Sequence, residues 1–444
     1  MEDMIYFFKY YLKLIVFYIL IINVFNMAPL TLAPLTLAPL TLTRFLYSKD
    51  EVELSLLTSL LKNEDIQIVY YWAYELYYSG FDIFEFLWKI YLDFYYELQP
   101  YFVTYFERKH ASWKQDHSMI HIAYIVRNMF TLKPSCMVFM MRQYMSKEDT
   151  LYPTVIYRFT GTGARPWMQS TNKQFHNLFL AIERHHYENI CYYLHKLSIS
   201  LNEISSVVLR FLEYKFMEYK FMEYKFMEYK EPDNINMHYL LAIIARTLYT
   251  KTCVNLDIKK HLYVAPKEEH LQHIRALEED KVPMSKHGLP QIYNTLMHKR
   301  FACIDDTVGA FELARFNWST HEEFVKEVYF NWEYYAMGSP VWLNRLHTFG
   351  GIVNTLEKKI EFLSEGEDGK EGFYNLYAYE LDELPKEVQA MSMKPICKTN
   401  GKAWYEHVFR EHLYREHLYR DNLEADLEAL TISDADTDVW SWKY

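Results

Sequence analysis

Glycine and proline are both scarce, at 12 and 14 of 444 residues, and the shortage removes the residues that tight turns and hairpins use most. Long helices joined by few loops are what remains. Cysteine is equally thin: Cys136, Cys191, Cys253, Cys303 and Cys397 include no close pair, which excludes a disulfide framework and a zinc-finger spacing and points to a reducing, intracellular compartment. Positive charge is in deficit as well. A formal net charge of −11 excludes attachment to nucleic acid through an overall basic surface and leaves only a local patch. No Gly-x-Ser-x-Gly elbow, Walker loop or flanked nucleophilic cysteine occurs, so the familiar hydrolase and nucleotide-binding signatures are missing.

Rings are what the chain has in excess. Aromatic residues make up 18 % of it, with 40 tyrosines, and between Val69 and Tyr96 they fill 14 of 28 positions with one interruption at Ser79-Gly80. Tyr, Phe, Ile, Asn and Lys are also the residues of A/T-rich codons, so genome composition accounts for part of this. Side chains that each bury about 150–250 Å² must nevertheless pack on more than one side, and the stretch reads as two inner helices joined by a turn. The expected fold is all-α: a multi-helix array, bundle or irregular α-solenoid, with one small β-hairpin in the C-terminal third.

Both ends of the chain stand apart from this. Residues 5–25 are apolar but carry Lys9 and Lys13, and they fit a membrane anchor, a cleaved signal or a leader preceding a start at Met27. APLTL then occurs three times from Ala28, EYKFM three times from Glu213 and REHLY twice from Arg410. Every period is five residues. On a helix five residues turn each copy by roughly 140° from the last, so no packing stripe results and in-frame duplication explains the pattern better than selection for burial. Four regions are expected: residues 1–47 as leader and low-complexity tail, 48–252 as a helical domain, 253–400 as a smaller helical domain with the hairpin, and 401–444 as a C-terminal helix and acidic tail.

Within the first domain, Ser48-Lys-Asp-Glu51 reads as a capping box opening a helix to Lys62. Further helices are expected at 65–79, with Gly80 as its left-handed stop, and at 82–98, 101–113, 117–130, 135–145, 175–186, 187–199, 201–229 and 237–250. Around the prolines at 266, 283 and 290, which mark the boundary, the pattern predicts a short strand at 262–264 and a helix at 268–279, and beyond them helices at 290–300, 307–317, 320–335 and 340–347. Gly350-Gly351 then opens two alternating runs, 352–356 and 359–362, the expected hairpin.

Candidate sites are few. Arg142, Arg158, Arg165, Trp167 and Lys173 interleave cations with flat rings around Thr160-Gly-Thr-Gly163, the composition that single-stranded nucleic acid or a phosphate group would use. Glu183, His186, Cys191 and His195 approach metal-ligand spacing, but a di-iron bundle needs a second Glu-x-x-His and none is present. His117 and His121 lie four apart without the Glu of a zinc protease. Glu75 sits in WAYELYY, on a helix apolar almost all round, and needs a donor such as a tyrosine hydroxyl or a lysine. No catalytic set and no cofactor is assigned.

The strings Trp72-Ala-Tyr-Glu-Leu-Tyr-Tyr-Ser-Gly-Phe81 and Gly338-Ser-Pro-Val-Trp342, with the Gly350-Gly351 hairpin and Phe373-Tyr-Asn-Leu-Tyr-Ala-Tyr-Glu380, resemble a family of uncharacterised helical proteins of giant double-stranded DNA viruses. The resemblance spans about residues 48–389 and implies no activity, cofactor or site. The expectation is therefore a cytoplasmic scaffold or protein–protein interaction protein with unidentified protein partners, attached to a membrane only if residues 5–25 act as an anchor. The alternative is a nucleic-acid-binding module using the loop 158–173.

Overall fold

A computed structural model describes residues 40–63, 65–145, 173–184, 186–197, 240–246, 263–278, 306–307, 313–377, 396–399 and 403–404. These are mostly helical, as expected. Helices α1 (Lys49–Lys62), α2 (Ile66–Tyr78), α3 (Ile83–Phe94), α4 (Phe102–Asp116), α5 (Ile120–Thr131) and α6 (Met137–Met145) follow one another with short links. Then come α7 (Lys173–Glu183), α8 (Tyr187–Leu197) and α9 (Glu268–Glu278). The last third holds α10 (His321–Phe330), α11 (Trp332–Ala336), α12 (Pro340–Thr348) and α13 (Lys370–Tyr377).

Local chemistry explains the sharpest boundaries. Asp65 caps α2 by accepting from the Gln67 N–H at 3.0 Å, and Asp82 caps α3 by accepting from Phe84 and Glu85 at 3.0 and 3.2 Å. Between them Gly80 sits at φ +87°, and a Cβ there would come within 2.8 Å of Pro340, so both conformation and space require glycine. Ser48 stands at the N-cap of α1 but makes no side-chain cap bond, and Glu51 turns away to pair with Arg315, so the capping box does not form. The consequence is measurable. Asp82→Ala is expected to lower stability in urea unfolding by about 0.5–2 kcal/mol, and Ser48→Ala by less.

The ring-rich stretch is interior, as its composition predicts. Trp72, Trp88 and Tyr91 are buried, and α2 packs against α1, α5 and α9. Many rings meet edge-on, as in the Trp88–Phe106 and Tyr47–Trp72 pairs at 4.9 and 5.2 Å, and some stack, as Phe94 does on Phe139 at 5.2 Å. Several hydroxyls are satisfied by backbone, Tyr74 donating to the Met119 carbonyl at 2.7 Å and Tyr91 to that of Gln99 at 3.0 Å, and Tyr71 pairs with the Tyr47 hydroxyl at 2.8 Å. Phe84, Trp88 and Tyr91 on α3 and Tyr95 at its C-cap are buried at their three-and-four spacing, while Leu98 lies past the helix end and is half-buried.

Long-range contacts overturn several local expectations. The folded part reaches back to Leu40, inside the third APLTL copy, where the sequence reading begins it at Ser48. Leu42 donates its N–H to the Tyr335 carbonyl at 3.2 Å, and Thr41 and Thr43 carbonyls accept from Lys49 N–H and Trp342 Nε1. Helix α3 stops at Phe94, not Leu98, because the Phe94 carbonyl accepts from Ser135 N–H at 2.6 Å. No strand forms at 263–264. Instead Asn128 holds Val264 in the manner of a neighbouring strand, its Oδ1 accepting from the N–H at 2.8 Å and its Nδ2 donating to the C=O at 3.0 Å.

At the described ends of the helix expected at 307–317 stand strand β1 (Asp306–Thr307) and a 3₁₀ turn at Ala314–Asn317, and residues 308–312 lie outside the described residues. Asp50 Oδ2 accepts from the Ala314 N–H at 2.5 Å and so anchors this turn to α1. The expected 320–335 helix breaks at Asn331 into α10 and α11. The hairpin is present, with β2 (Gly351–Asn354) paired antiparallel to β3 (Lys359–Phe362), and a second, parallel pair joins β1 to β4 (Cys397–Lys398). Residues on both sides of the expected 252/253 boundary share one buried cluster, so the described parts of the two regions pack as one core. The expectations for 5–25, 201–229 and 290–300 lie outside the described residues.

Candidate functional site

The segments around Trp72–Phe81, Gly338–Trp342 and Phe373–Tyr377 meet in space. Ser339 Oγ donates to the Ser79 carbonyl at 3.0 Å, Pro340 packs on Gly80, and Trp342 lies against Trp332, Phe373 and Tyr377 with ring centroids 5.3–6.2 Å apart. Gly338 backs onto Thr41, whose Oγ1 a Cβ at 338 would approach within 2.7 Å. At the centre is Glu75.

Its carboxylate accepts from the backbone N–H of Phe45 at 2.8 Å and from Arg44 Nη2 at 3.3 Å, where the sequence reading looks for a tyrosine or a lysine. The acid and its partner are both buried, at 0 % and 2 % side-chain exposure. Burial pushes the Glu75 carboxyl above its ordinary value against the opposing pull of Arg44. Arg44 also gives Nη1 to the Leu277 carbonyl at 2.7 Å, and its guanidinium covers the rings of Phe45 and Tyr78. A carboxylate so enclosed holds the fold together and offers no face to a substrate.

The other described residues singled out from sequence have separate structural partners. Arg142 forms a two-pronged pair with Asp93 at 2.9 and 2.6 Å, so this cation is neutralised on α3. Arg158, Arg165 and Trp167 lie outside the described residues, and Lys173 opens α7. Among the described residues no group of three or more His, Cys, Asp and Glu side chains is placed to hold a metal ion, so Glu183, His186, Cys191 and His195 do not form a ligand set. Burial drives the Cys191 thiol up to about 12, and it donates weakly to the Met141 carbonyl, the behaviour of a core cysteine. His117 and His121 do not share a helix face, because His117 is the left-handed cap of α4 and His121, on α5, pairs with Asp116 at 2.8 Å.

One carboxyl that the pattern gives no hint of is Glu107 on α4, which burial raises to about 7. Its folded-state value lies above the ordinary 4.5, so the native protein binds the extra proton between those limits. Stability should therefore fall as pH rises through that window. Glu107→Gln should flatten that part of a melting-temperature profile, and an unchanged slope would contradict the assignment.

Two surface features remain. A shallow depression of about 560 Å³ is lined by Tyr77, Tyr78, His117, Ser118, Met119 and Glu278. The hairpin is the other. Its inner face carries Ile360 and Phe362 toward Phe373, whereas Ile352 and Leu363 point outward at 51 % and 77 % exposure and Leu356, at the turn, is 95 % exposed. Sequence alternation marks the hairpin but not this choice of face, which the packing of α13 decides.

Neither family models, nor curated proteins, nor solved structures give a match to this chain. Among the described residues no helix is long and apolar enough to cross a membrane.

Proposed function

We propose that this is a non-enzymatic scaffold or interaction protein, which binds a protein partner through the outer side of the β2–β3 hairpin. The observation that carries the reading is the outward placement of Ile352, Leu356 and Leu363, three large aliphatic side chains within one hairpin, whereas the other large apolar groups exposed among the described residues, Tyr101, Tyr263, Val264, Phe330 and Leu376, come from other parts of the chain. Water gains nothing from such a surface; a partner that covers it does. Support also comes from what the ionisable groups do, since Glu75, Asp93 and Arg142 are engaged in holding helices together. The resemblance to a giant-virus family belongs to the same reading, and it directs the search for partners to an infected cell's cytoplasm. Nucleic-acid binding gains no separate support, because Arg142, one of its cations, is neutralised by Asp93.

The test is co-purification with quantification of what is captured. Wild-type protein should retain a stoichiometric partner, and Leu356→Asp with Leu363→Asp should lose it while the melting temperature and helical content stay unchanged, because both side chains are exposed. A strictly monomeric wild-type protein that captures nothing specific would refute the proposal.

A further inference from the structure

The outer side of the hairpin is apolar at Ile352, Leu356 and Leu363, and the charge around it is one-sided. Residues 321–377, which form the hairpin and the helices packed on it, contain ten acidic and five basic side chains, histidine aside. Three of the bases are engaged: Lys358 pairs with Glu327 at 2.7 Å, Lys359 with Glu357 at 3.8 Å and Lys370 with Glu365 at 3.4 Å. Arg345 is buried against the Trp342 ring, and Lys326 is exposed on α10. Glu361, Glu367, Asp368 and Glu371 are all exposed and form no ion pair among the described residues. Glu361 stands opposite Ile352 in the β2–β3 register, and the Asn354 amide that donates to it at 2.7 Å leaves its charge intact.

The carboxylates beyond β3 are held in place. Leu363 N–H donates to the Gly350 carbonyl at 3.2 Å, and the next turn closes when the Ser364 carbonyl accepts from Lys370 N–H at 2.9 Å and the Gly366 carbonyl from Gly369 N–H at 2.9 Å. A Cβ at Gly369 would run into the Ser364 carbonyl oxygen, so this closure requires glycine. Glu367 and Asp368 are thereby fixed close behind Leu363, at the end of the hairpin away from Leu356. The N-terminus of α13 offsets about half a unit of this charge, chiefly at Glu371 in its first turn. Most of the excess remains.

We propose, taking the hairpin as the docking surface, that the partner segment seated on it is basic as well as apolar: an amphipathic stretch whose aliphatic side chains cover Ile352 and Leu363 while its lysine or arginine side chains face Glu361, Glu367 and Asp368. An acidic or wholly aliphatic segment would desolvate these carboxylates without a counter-charge, which disfavours it. Phosphate backbones and anionic lipid headgroups are repelled by the same field.

The full-length protein is titrated with a short labelled peptide of alternating leucine and lysine, and binding is read by fluorescence anisotropy. The peptide should bind saturably and more weakly as salt rises. Replacing its lysines by glutamate, or its leucines by serine, should weaken binding roughly tenfold or more. Glu367→Gln with Asp368→Asn should weaken it roughly three- to tenfold. Leu356→Ser with Leu363→Ser, which removes apolar surface without adding charge, should also weaken it. Neither pair should change the melting temperature, because all four side chains are exposed. Equal binding of the leucine–glutamate peptide, or an affinity indifferent to either pair of substitutions, would overturn the proposal. Sedimentation with phosphatidylcholine vesicles that is lost in Leu356→Ser would overturn it too, by assigning the hairpin turn to a lipid surface. A co-purified partner lost in Leu356→Asp with Leu363→Asp but retained in Glu367→Gln with Asp368→Asn would leave the hairpin reading standing and remove the basic character of its partner alone.

Discussion

Arg44→Met is expected to destabilise the protein by about 3–5 kcal/mol at neutral pH, because it leaves the Glu75 carboxylate buried without its charge partner. Lost packing over Phe45 and Tyr78 and the orphaned Leu277 carbonyl add to the effect. Glu75→Gln keeps the shape and should cost less, since the Phe45 N–H retains an acceptor. The pH dependence separates these causes. Burial raises the Glu75 carboxyl above 4.5 even with Arg44 present, and without Arg44 the rise must be larger. A raised carboxyl means that the folded state holds its proton where the unfolded state has released it, so stability falls as pH increases from 4.5 toward the folded-state value. The damage done by Arg44→Met should therefore shrink on acidification. Equal damage at all pH values would show that lost packing, and not the uncompensated charge, is responsible.

Trp342→Ala should be comparably severe, at about 3–5 kcal/mol. The indole is fully buried among Trp332, Phe373 and Tyr377, lies beneath the Arg345 guanidinium at 4.4 Å, and donates to the Thr43 carbonyl at 3.0 Å. Trp342→Phe retains a ring and loses the donor while the Thr43 carbonyl keeps the Leu46 N–H at 2.9 Å, so losing the hydrogen bond should cost only about 0.5–1.5 kcal/mol. Chemical denaturation of the two variants separates the contributions. A phenylalanine variant as unstable as the alanine one would mean that the hydrogen bond, not the ring, dominates.

What could be read from residues alone was local. Asp65, Gly80 and Asp82 mark the ends of α2 and α3 because capping and a positive φ depend on a few neighbours in the chain. The aromatic run declares itself as interior because nothing else can house so many rings. Partners far apart in sequence were hidden: Asp50 holds Ala314 across 264 positions, and Asn128 takes Val264 out of any ladder across 136. The APLTL copies were the most misleading feature, since a duplication pattern reads as filler while Leu40 and Leu42, in the last copy, are buried. Glu75 could be recognised as a buried acid in need of a donor, but its donor lies 31 residues upstream, next to that repeat. The aromatic depression gave no sequence signal at all, because it is assembled from the ends of α2 and α4 and from α9, which no motif connects.

Amide hydrogen exchange tests the central claim most directly, because the account makes residues 40–47 the keystone between α2 and α12 and not a tail. The N–H groups of Leu42, Arg44 and Phe45 donate to the Tyr335 carbonyl, to Ser79 Oγ and to Glu75 Oε1. They should exchange as slowly as the buried centre of α2, through global unfolding only. Exchange at the rate of an open chain at these three amides, while α2 stays protected, would contradict the account.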